Sequence, residues 1–188
     1  MNAGESAGDR TNAVTARLHQ AFLQPLAGAV ESNSDLGRKP LLVELGHPHP
    51  PRLRVYLYSL VHGVGERQRR EYKIVLRIPG QPVDEYGSFD HSDGRFTILA
   101  GYDSTLDVFV LWDAVLHPRF KNGGNLQVRD EVVRKAAAVG SAEQIRRLGN
   151  GSRELVLACQ SHNLVEALAA RVPSTGGLEE GECAGFLI

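Results

Sequence analysis

The chain has 188 residues, of which 42% are hydrophobic and 23% charged, with a formal net charge of -1, an ordinary composition for one globular domain with its own core. No apolar run reaches the roughly 20 residues that cross a bilayer, the N-terminal residues lack the basic and apolar regions of a secretory signal, and 2 cysteines are too few for a disulfide framework or a cysteine-based zinc site. We therefore exclude membrane-spanning and disulfide-rich classes and expect a cytoplasmic protein that makes no membrane contact.

The first quarter of the chain predicts one helix and one short strand. Residues 1–12 are small and polar without periodicity, and we predict that they are disordered. Spaced apolar residues predict an amphipathic helix over Thr15 to Val30, which Pro25 would kink or end. A loop over Ser32 to Lys39 and a strand over Leu41 to Leu45 follow.

The next stretch, Arg52 to Ile78, predicts a β-hairpin with one basic and aromatic face. Two runs of period-two alternation flank a polar connection that contains Arg67, Arg69 and Arg70. If the runs pair, the residues of shared parity lie on one face, which suits a phosphate backbone. These residues are Arg52, Arg54, Tyr56, Tyr58, Glu71, Lys73, Val75 and Arg77.

The central part of the chain predicts the most hydrophobic strands. After a polar connection over Pro79 to Gly94, the runs Arg95 to Tyr102 and Asp107 to Ala114 predict two buried strands joined by a hairpin turn. The loop that follows carries Arg119 and Lys121 beside Gly and Asn residues, a composition suited to phosphate contacts.

The C-terminal part predicts alternating short strands and helices. We predict a strand over Leu126 to Val128, a helix over Asp130 to Val139, a capping-box helix from Ser141 to near Gly149, a strand over Glu154 to Cys159 and a helix over Asn163 to Arg171 with Asn163 as its cap. The fold class is α+β: a mainly antiparallel, curved sheet with an N-terminal helix and C-terminal helices. Residues 13–175 form the single predicted domain, and residues 176–188 a loose tail.

One acidic pattern suggests metal-dependent chemistry. Glu71 and Lys73 match the ExK half of a nuclease site, in which a strand carboxylate holds Mg²⁺ and a lysine on the same face lies near the attacking water. Such a site needs a second acid, for which Glu44, Asp103 and Asp107 are the candidates. Asp103 and Asp107 flank a turn, where an aspartate more often caps its own backbone. Phosphate-loop, nucleophile-elbow and dinucleotide motifs are absent.

Several blocks in order resemble the methylase-associated domain of bacterial restriction–modification loci. They are EYKIVLRIPGQ, FDHSDGRFTILAGYD, DVFVLWDAVLHPRF and NLQV, and the resemblance spans about residues 54–135. It implies genomic company with a DNA methyltransferase, and therefore DNA and that enzyme as partners. It assigns no catalytic residue.

The leading hypothesis is a DNA-binding component of a restriction–modification, phage-defence system that reads duplex or modified DNA through the basic hairpin. Charge segregation agrees with it, since residues 52–77 and 114–153 are mainly basic and residues 81–113 mainly acidic. One alternative is a small type II-like endonuclease that uses Mg²⁺; no other cofactor is expected. Another is a protein-interaction partner of the methyltransferase that uses the acidic block. A homodimer is compatible with the sequence.

Overall fold

The computed structural model describes residues 7–47, 52–63 and 70–172. Its helices are α1 (Ala7–Leu23), α2 (Asp130–Val139) and α3 (Leu164–Arg171), with 3-10 turns at Gln24–Leu26, Ala114–Leu116 and Ser161–Asn163. Its strands are β1 (Val30–Asn33), β2 (Leu41–Leu45), β3 (Arg52–Ser59), β4 (Val61–His62), β5 (Glu71–Val75), β6 (Tyr86–Gly87), β7 (Phe96–Asp103), β8 (Val108–Trp112), β9 (Phe120–Lys121), β10 (Asn125–Arg129), β11 (Ser141–Arg147) and β12 (Arg153–Gln160).

The strands form one large sheet and two small ones. The large sheet has seven strands in the order β1-β2-β3-β7-β8-β12-β11, in which β3 and β7 are parallel and the other neighbours antiparallel. A three-stranded antiparallel sheet has the order β10-β5-β4, and β6 pairs with β9. The predicted α+β class with a mainly antiparallel sheet is therefore confirmed. No helix within the described ranges has both the length and the hydrophobicity to cross a bilayer.

The large sheet is covered on both faces, which gives two hydrophobic cores. On one face, residues of α1 and α3 such as Phe22 and Leu168 pack against the strands. On the other, the small sheet and α2 contribute Ile74, Val128 and Val133. Gly101 of β7 allows the small sheet to approach closely, because a Cβ there would lie 2.5 Å from the Cγ2 of Ile74.

Several elements agree with the sequence. The central hairpin β7–β8, strand β10, helix α2 with Gly140 at its end, and strand β12 lie where they were predicted. Helix α1 ends at Leu23, and Pro25 lies in the 3-10 turn that follows, since proline cannot continue the helical hydrogen-bond pattern.

Three predictions about individual helices need correction. Helix α1 begins at Ala7, within the segment 1–12 that was expected to be disordered. The predicted helix at Ser141 is strand β11, which pairs with β12 along its full length; sheet pairing overrides a local capping signal. The side chain of Asn163 makes no capping hydrogen bond to α3.

The predicted hairpin of Arg52 to Ile78 forms only in a short part, in which β4 pairs with β5, and the predicted pairing of β3 with β5 is wrong. Strand β3 lies between β2 and β7 in the large sheet, whereas β5 pairs with β4 and β10 in the small one. β3 is buried on both faces between its ends, so its polar side chains cannot form a solvated surface. The predicted single face joining the two runs does not form.

Candidate functional site

Arg54 is a buried structural cation rather than an exposed one. Its side chain is 5% exposed, and its guanidinium lies 2.9 Å from the carboxylate of Asp90 and 3.1 Å from that of Asp93. The same group donates to the backbone carbonyls of Asp90 and Ser92. It therefore fixes the loop that precedes β7.

The two tyrosines of β3 are buried as well. Tyr56 is 2% and Tyr58 5% exposed. The hydroxyl of Tyr56 accepts from the backbone N–H of Asp90, and that of Tyr58 donates to the carbonyl of Arg77. Burial raises the pKa of Tyr58, although its hydrogen bond to the Arg77 carbonyl acts in the opposite direction. Both rings face the small-sheet core and neither is available to stack on a base.

Arg52 is half-exposed, and it shares the carboxylate of Glu44 with Arg95. Glu44 of β2 lies 3.5 Å from the Arg52 guanidinium and also accepts from Arg95. The arginines near β3 are thus paired with acids of the same sheet and its loops. Glu44, one candidate metal ligand, is engaged in these ion pairs.

The residues of the nuclease hypothesis occupy three local environments. Glu71 and Lys73 sit on the half-exposed face of β5. Asp103 accepts from the N–H groups of the turn residues Thr105 and Leu106. Asp107 accepts from the hydroxyls of Tyr102 and Ser161.

Within the described ranges, no group of three or more His, Cys, Asp and Glu side chains is placed to hold a metal. The assignments of Glu71, Lys73, Asp103 and Asp107 to catalysis, and of Glu71 and Asp103 to a metal, stay predictions.

The β5–β10 pair presents a flat polar surface that we name the outer sheet face. It consists of alternate residues of the two strands, which point away from the core. In register, Lys73 lies opposite Gln127, and Glu71 opposite Arg129. Its members are Glu71, Lys73, Val75, Asn125, Gln127 and Arg129.

Beside this face lies an exposed aromatic ring with two cations over it, which we name the Tyr86 cluster. The guanidinium of Arg119 is 4.4 Å, and the ammonium of Lys121 5.8 Å, from the centre of the Tyr86 ring. Tyr86 is 52% exposed. The pairing of β6 with β9 brings these residues together. Sequence reasoning missed Tyr86, because its segment has no periodicity and was interpreted only as a connection.

Hydrogen bonds between backbone groups, and from side chains to backbone carbonyls, join the Tyr86 cluster to the end of β5. Leu76 donates to the carbonyl of Gly124 and accepts from the N–H of Gly123. Gln81 donates to the carbonyl of Phe120, and Asn122 donates to that of Gln81. Arg77 therefore lies next to the loop that carries Arg119 and Lys121.

The cations at this end of the molecule differ from those near β3 in their pairing. Each arginine near β3 has a carboxylate within 4.0 Å. Among the described residues, none of the following has a carboxylate at that distance: Lys39, Arg70, Lys73, Arg77, Arg119 and Lys121. Arg67 and Arg69 lie outside the described residues.

A buried polar network that the sequence did not indicate joins β8 to β12. Glu154, which is fully buried, accepts from the backbone N–H of Asp113, the ring of His117 and the guanidinium of Arg146. Burial alone would raise the pKa of Glu154. The hydrogen bonds and charges of His117 and Arg146 together lower it by a larger amount, so the net shift of the pKa is downward. This network stabilises the charged carboxylate and holds the end of the sheet.

A family model described as Methylase-associated X1 matches residues 51–168. The match runs from β3 into α3 and includes the outer sheet face, the Tyr86 cluster and every strand except β1 and β2. No curated protein and no solved structure matches the chain.

Proposed function

The chain belongs to the methylase-associated X1 family, and we propose that it is the DNA-binding component of a restriction–modification system. The family supports an association with such systems. DNA contact is the further step of the proposal. It assigns the contact to the Tyr86 cluster and the outer sheet face, in place of the hairpin face expected from the sequence.

The Tyr86 cluster carries the proposal. Arg119 and Lys121 hold their charges over an exposed aromatic ring, and no described carboxylate lies within 4.0 Å of either charge. Cations that are free of protein anions gain most from phosphate, since they release the counterions of the duplex without first breaking an ion pair. The ring offers a flat apolar surface to a sugar or an unstacked base.

The outer sheet face supplies a second surface of suitable chemistry. Amide and ammonium side chains read base edges in the major groove. Gln127 and Lys73 lie side by side on adjacent strands.

Two acidic residues next to the cluster allow a second test of DNA binding, with the opposite expected sign. Asp84 and Glu85 directly precede Tyr86 and make no ion pair with Arg119 or Lys121 within 4.0 Å. Their charges repel a phosphate backbone, so removing them should tighten binding to DNA. A surface for an uncharged partner would not respond in this way.

The experiment measures fluorescence anisotropy of labelled duplexes, unmodified and methylated, between about 50 and 200 mM salt. The double variant Arg119→Ala/Lys121→Ala should weaken binding and reduce the slope of log K against log salt by about 2, because each lost phosphate contact contributes about 0.9. Asp84→Asn/Glu85→Gln should bind more tightly than the parent. Arg134→Ala is the matched control, since that exposed arginine is paired with Asp130.

The proposal fails if neither duplex binds at the lowest salt, or if the double variant and the Arg134 control have the same slope. A preference for the methylated or the unmethylated duplex would identify which form is read. If Asp84→Asn/Glu85→Gln left affinity unchanged while the double variant lowered it, the cluster would bind through contacts other than phosphate.

A further inference from the structure

The structure has a large groove between α1 and the ends of β3 and β5, and we propose that it binds an acidic amphipathic segment of a partner protein. The groove has a volume of about 1000 Å³. This is the upper limit for sites that take compact small molecules. Its lining comes from α1, the segment before β2, the end of β3, β4, and the end of β5 with the residues that follow it, and it does not include the Tyr86 cluster.

Among the described residues, cations and no acids line the groove. Arg38, Lys39 and Arg77 contribute charged groups, and no Asp or Glu is among the lining residues. Asp35, which is not a lining residue, pairs with the exposed Arg38 at 3.6 Å. The ammonium of Lys39 lies 3.6 Å from the centre of the Tyr58 ring. The groove therefore complements a ligand that carries carboxylates.

Most of the remaining lining is apolar and partly open to solvent. Val14 is 49% and Val61 42% exposed, and Leu18, Val75 and Ile78 are partly buried. Exposed valines on opposite walls of one groove gain free energy when a partner covers them. A ligand that fits must present apolar side chains as well as acids.

The shape of one wall fits a short helix. Thr11, Thr15 and Leu18 follow each other at spacings of four and three residues along α1, so they share one face of that helix over about 10 Å. Two turns of a partner helix have the same length. Recognition of this kind uses anchors at i, i+3, i+4 and i+7 of the bound helix.

A protein segment fits these observations better than a nucleic acid. A phosphate backbone offers no apolar surface for Val14, Val61 and Ile78. The aromatic ring in the lining, Tyr58, is buried and has the Lys39 ammonium over it, which leaves no open ring face for a base to stack on. Carboxylates satisfy the cations while leucine-like side chains cover the valines.

The test uses the full chain and a display library of randomised 12-residue peptides, selected on the parent and then measured singly by fluorescence anisotropy. We expect the selected peptides to combine Asp or Glu with apolar residues at helical spacing. Val61→Asp introduces a charge at an exposed position, and Arg77→Ala removes a groove cation; each should weaken such a peptide by about tenfold or more, equivalent to about 1.4 kcal/mol. Circular dichroism and thermal unfolding would verify that both variants are folded.

The double variant Arg119→Ala/Lys121→Ala is the matched control and should keep full peptide affinity, so loss of DNA binding and loss of peptide binding are separable. A selection that yields no peptide overturns the proposal. So do peptides without acidic residues, and binding that Val61→Asp and Arg77→Ala leave unchanged. Competition for the groove by a DNA duplex, abolished by Val61→Asp, would identify a nucleic acid as the occupant and also overturn it.

Discussion

Arg52 and Arg54 are two residues apart on one strand, and the structure predicts different consequences for removing them. Arg54 makes four contacts to the loop before β7, two of them with carboxylates. Hydrogen bonds that involve a charged group contribute about 1.5–3 kcal/mol each, and removal of one partner of a buried ion pair costs about 3–5 kcal/mol. Because the side chains of Asp90 and Asp93 are 52% and 67% exposed, water replaces part of what they lose. We expect Arg54→Met to lower the free energy of unfolding by about 3 kcal/mol.

Arg52→Met is the matched control. Its side chain is 46% exposed and lies 3.5 Å from Glu44, and exposed pairs of this kind are worth about 0.2–1 kcal/mol. Urea unfolding followed by circular dichroism, in low and moderate salt, measures both changes. The Arg52 effect should shrink with salt and the Arg54 effect should persist, since buried pairs are screened less. Equal losses for the two variants would refute the reasoning, and so would a stable Arg54→Met protein that had lost only DNA binding.

Two further predictions follow from buried titratable groups. Glu154→Gln should lower the free energy of unfolding at pH 7 by about 3–5 kcal/mol. Because the pKa of Glu154 in the folded protein is below its ordinary value of 4.5, the difference from the parent should vanish as pH falls through and below 4.5. A difference in urea unfolding that does not change with pH would contradict this. Burial lowers the pKa of Lys39 to about 8, so the unfolded chain binds more protons between about pH 8 and 10.5. Lys39→Met should therefore stabilise the protein below pH 8, by at most about 3 kcal/mol and less where water reaches the ammonium. That gain should disappear near pH 10.5, and a constant gain across the range would show that burial of the charge is not its cause.

The fold was predictable where local pattern and tertiary environment agree. The central hairpin β7–β8 combines apolar runs with a turn that Asp103 caps through its own side chain, and α2 ends at Gly140, whose φ is 94°. The helix predicted at Ser141 failed because the same residues pair with β12. Short capping signals report local preference only, and an available sheet edge outweighs them.

The candidate site was less predictable because pairing of charges depends on distant residues. Alternation correctly placed Arg54, Tyr56 and Tyr58 on one parity of β3, but parity does not say whether a face meets solvent or a second layer. Here the small sheet covers it, and the polar atoms find partners 19 to 39 residues away. Nothing near Arg54 in the sequence indicates Asp90 or Asp93 as its partners.

Ion pairing within the fold makes net charge a poor guide to what this surface binds. The chain has 21 basic and 22 acidic residues, yet Glu44, Asp90, Asp93 and Glu154 are held in ion pairs that the fold itself requires. Each such pair removes an acid and a base together from the surface. Among the described cations without a carboxylate within 4.0 Å, those placed to attract an external anion at the proposed surfaces are Lys39, Lys73, Arg77, Arg119 and Lys121. Substitution of these cations should therefore change binding while stability changes little, and substitution of the paired arginines should do the reverse.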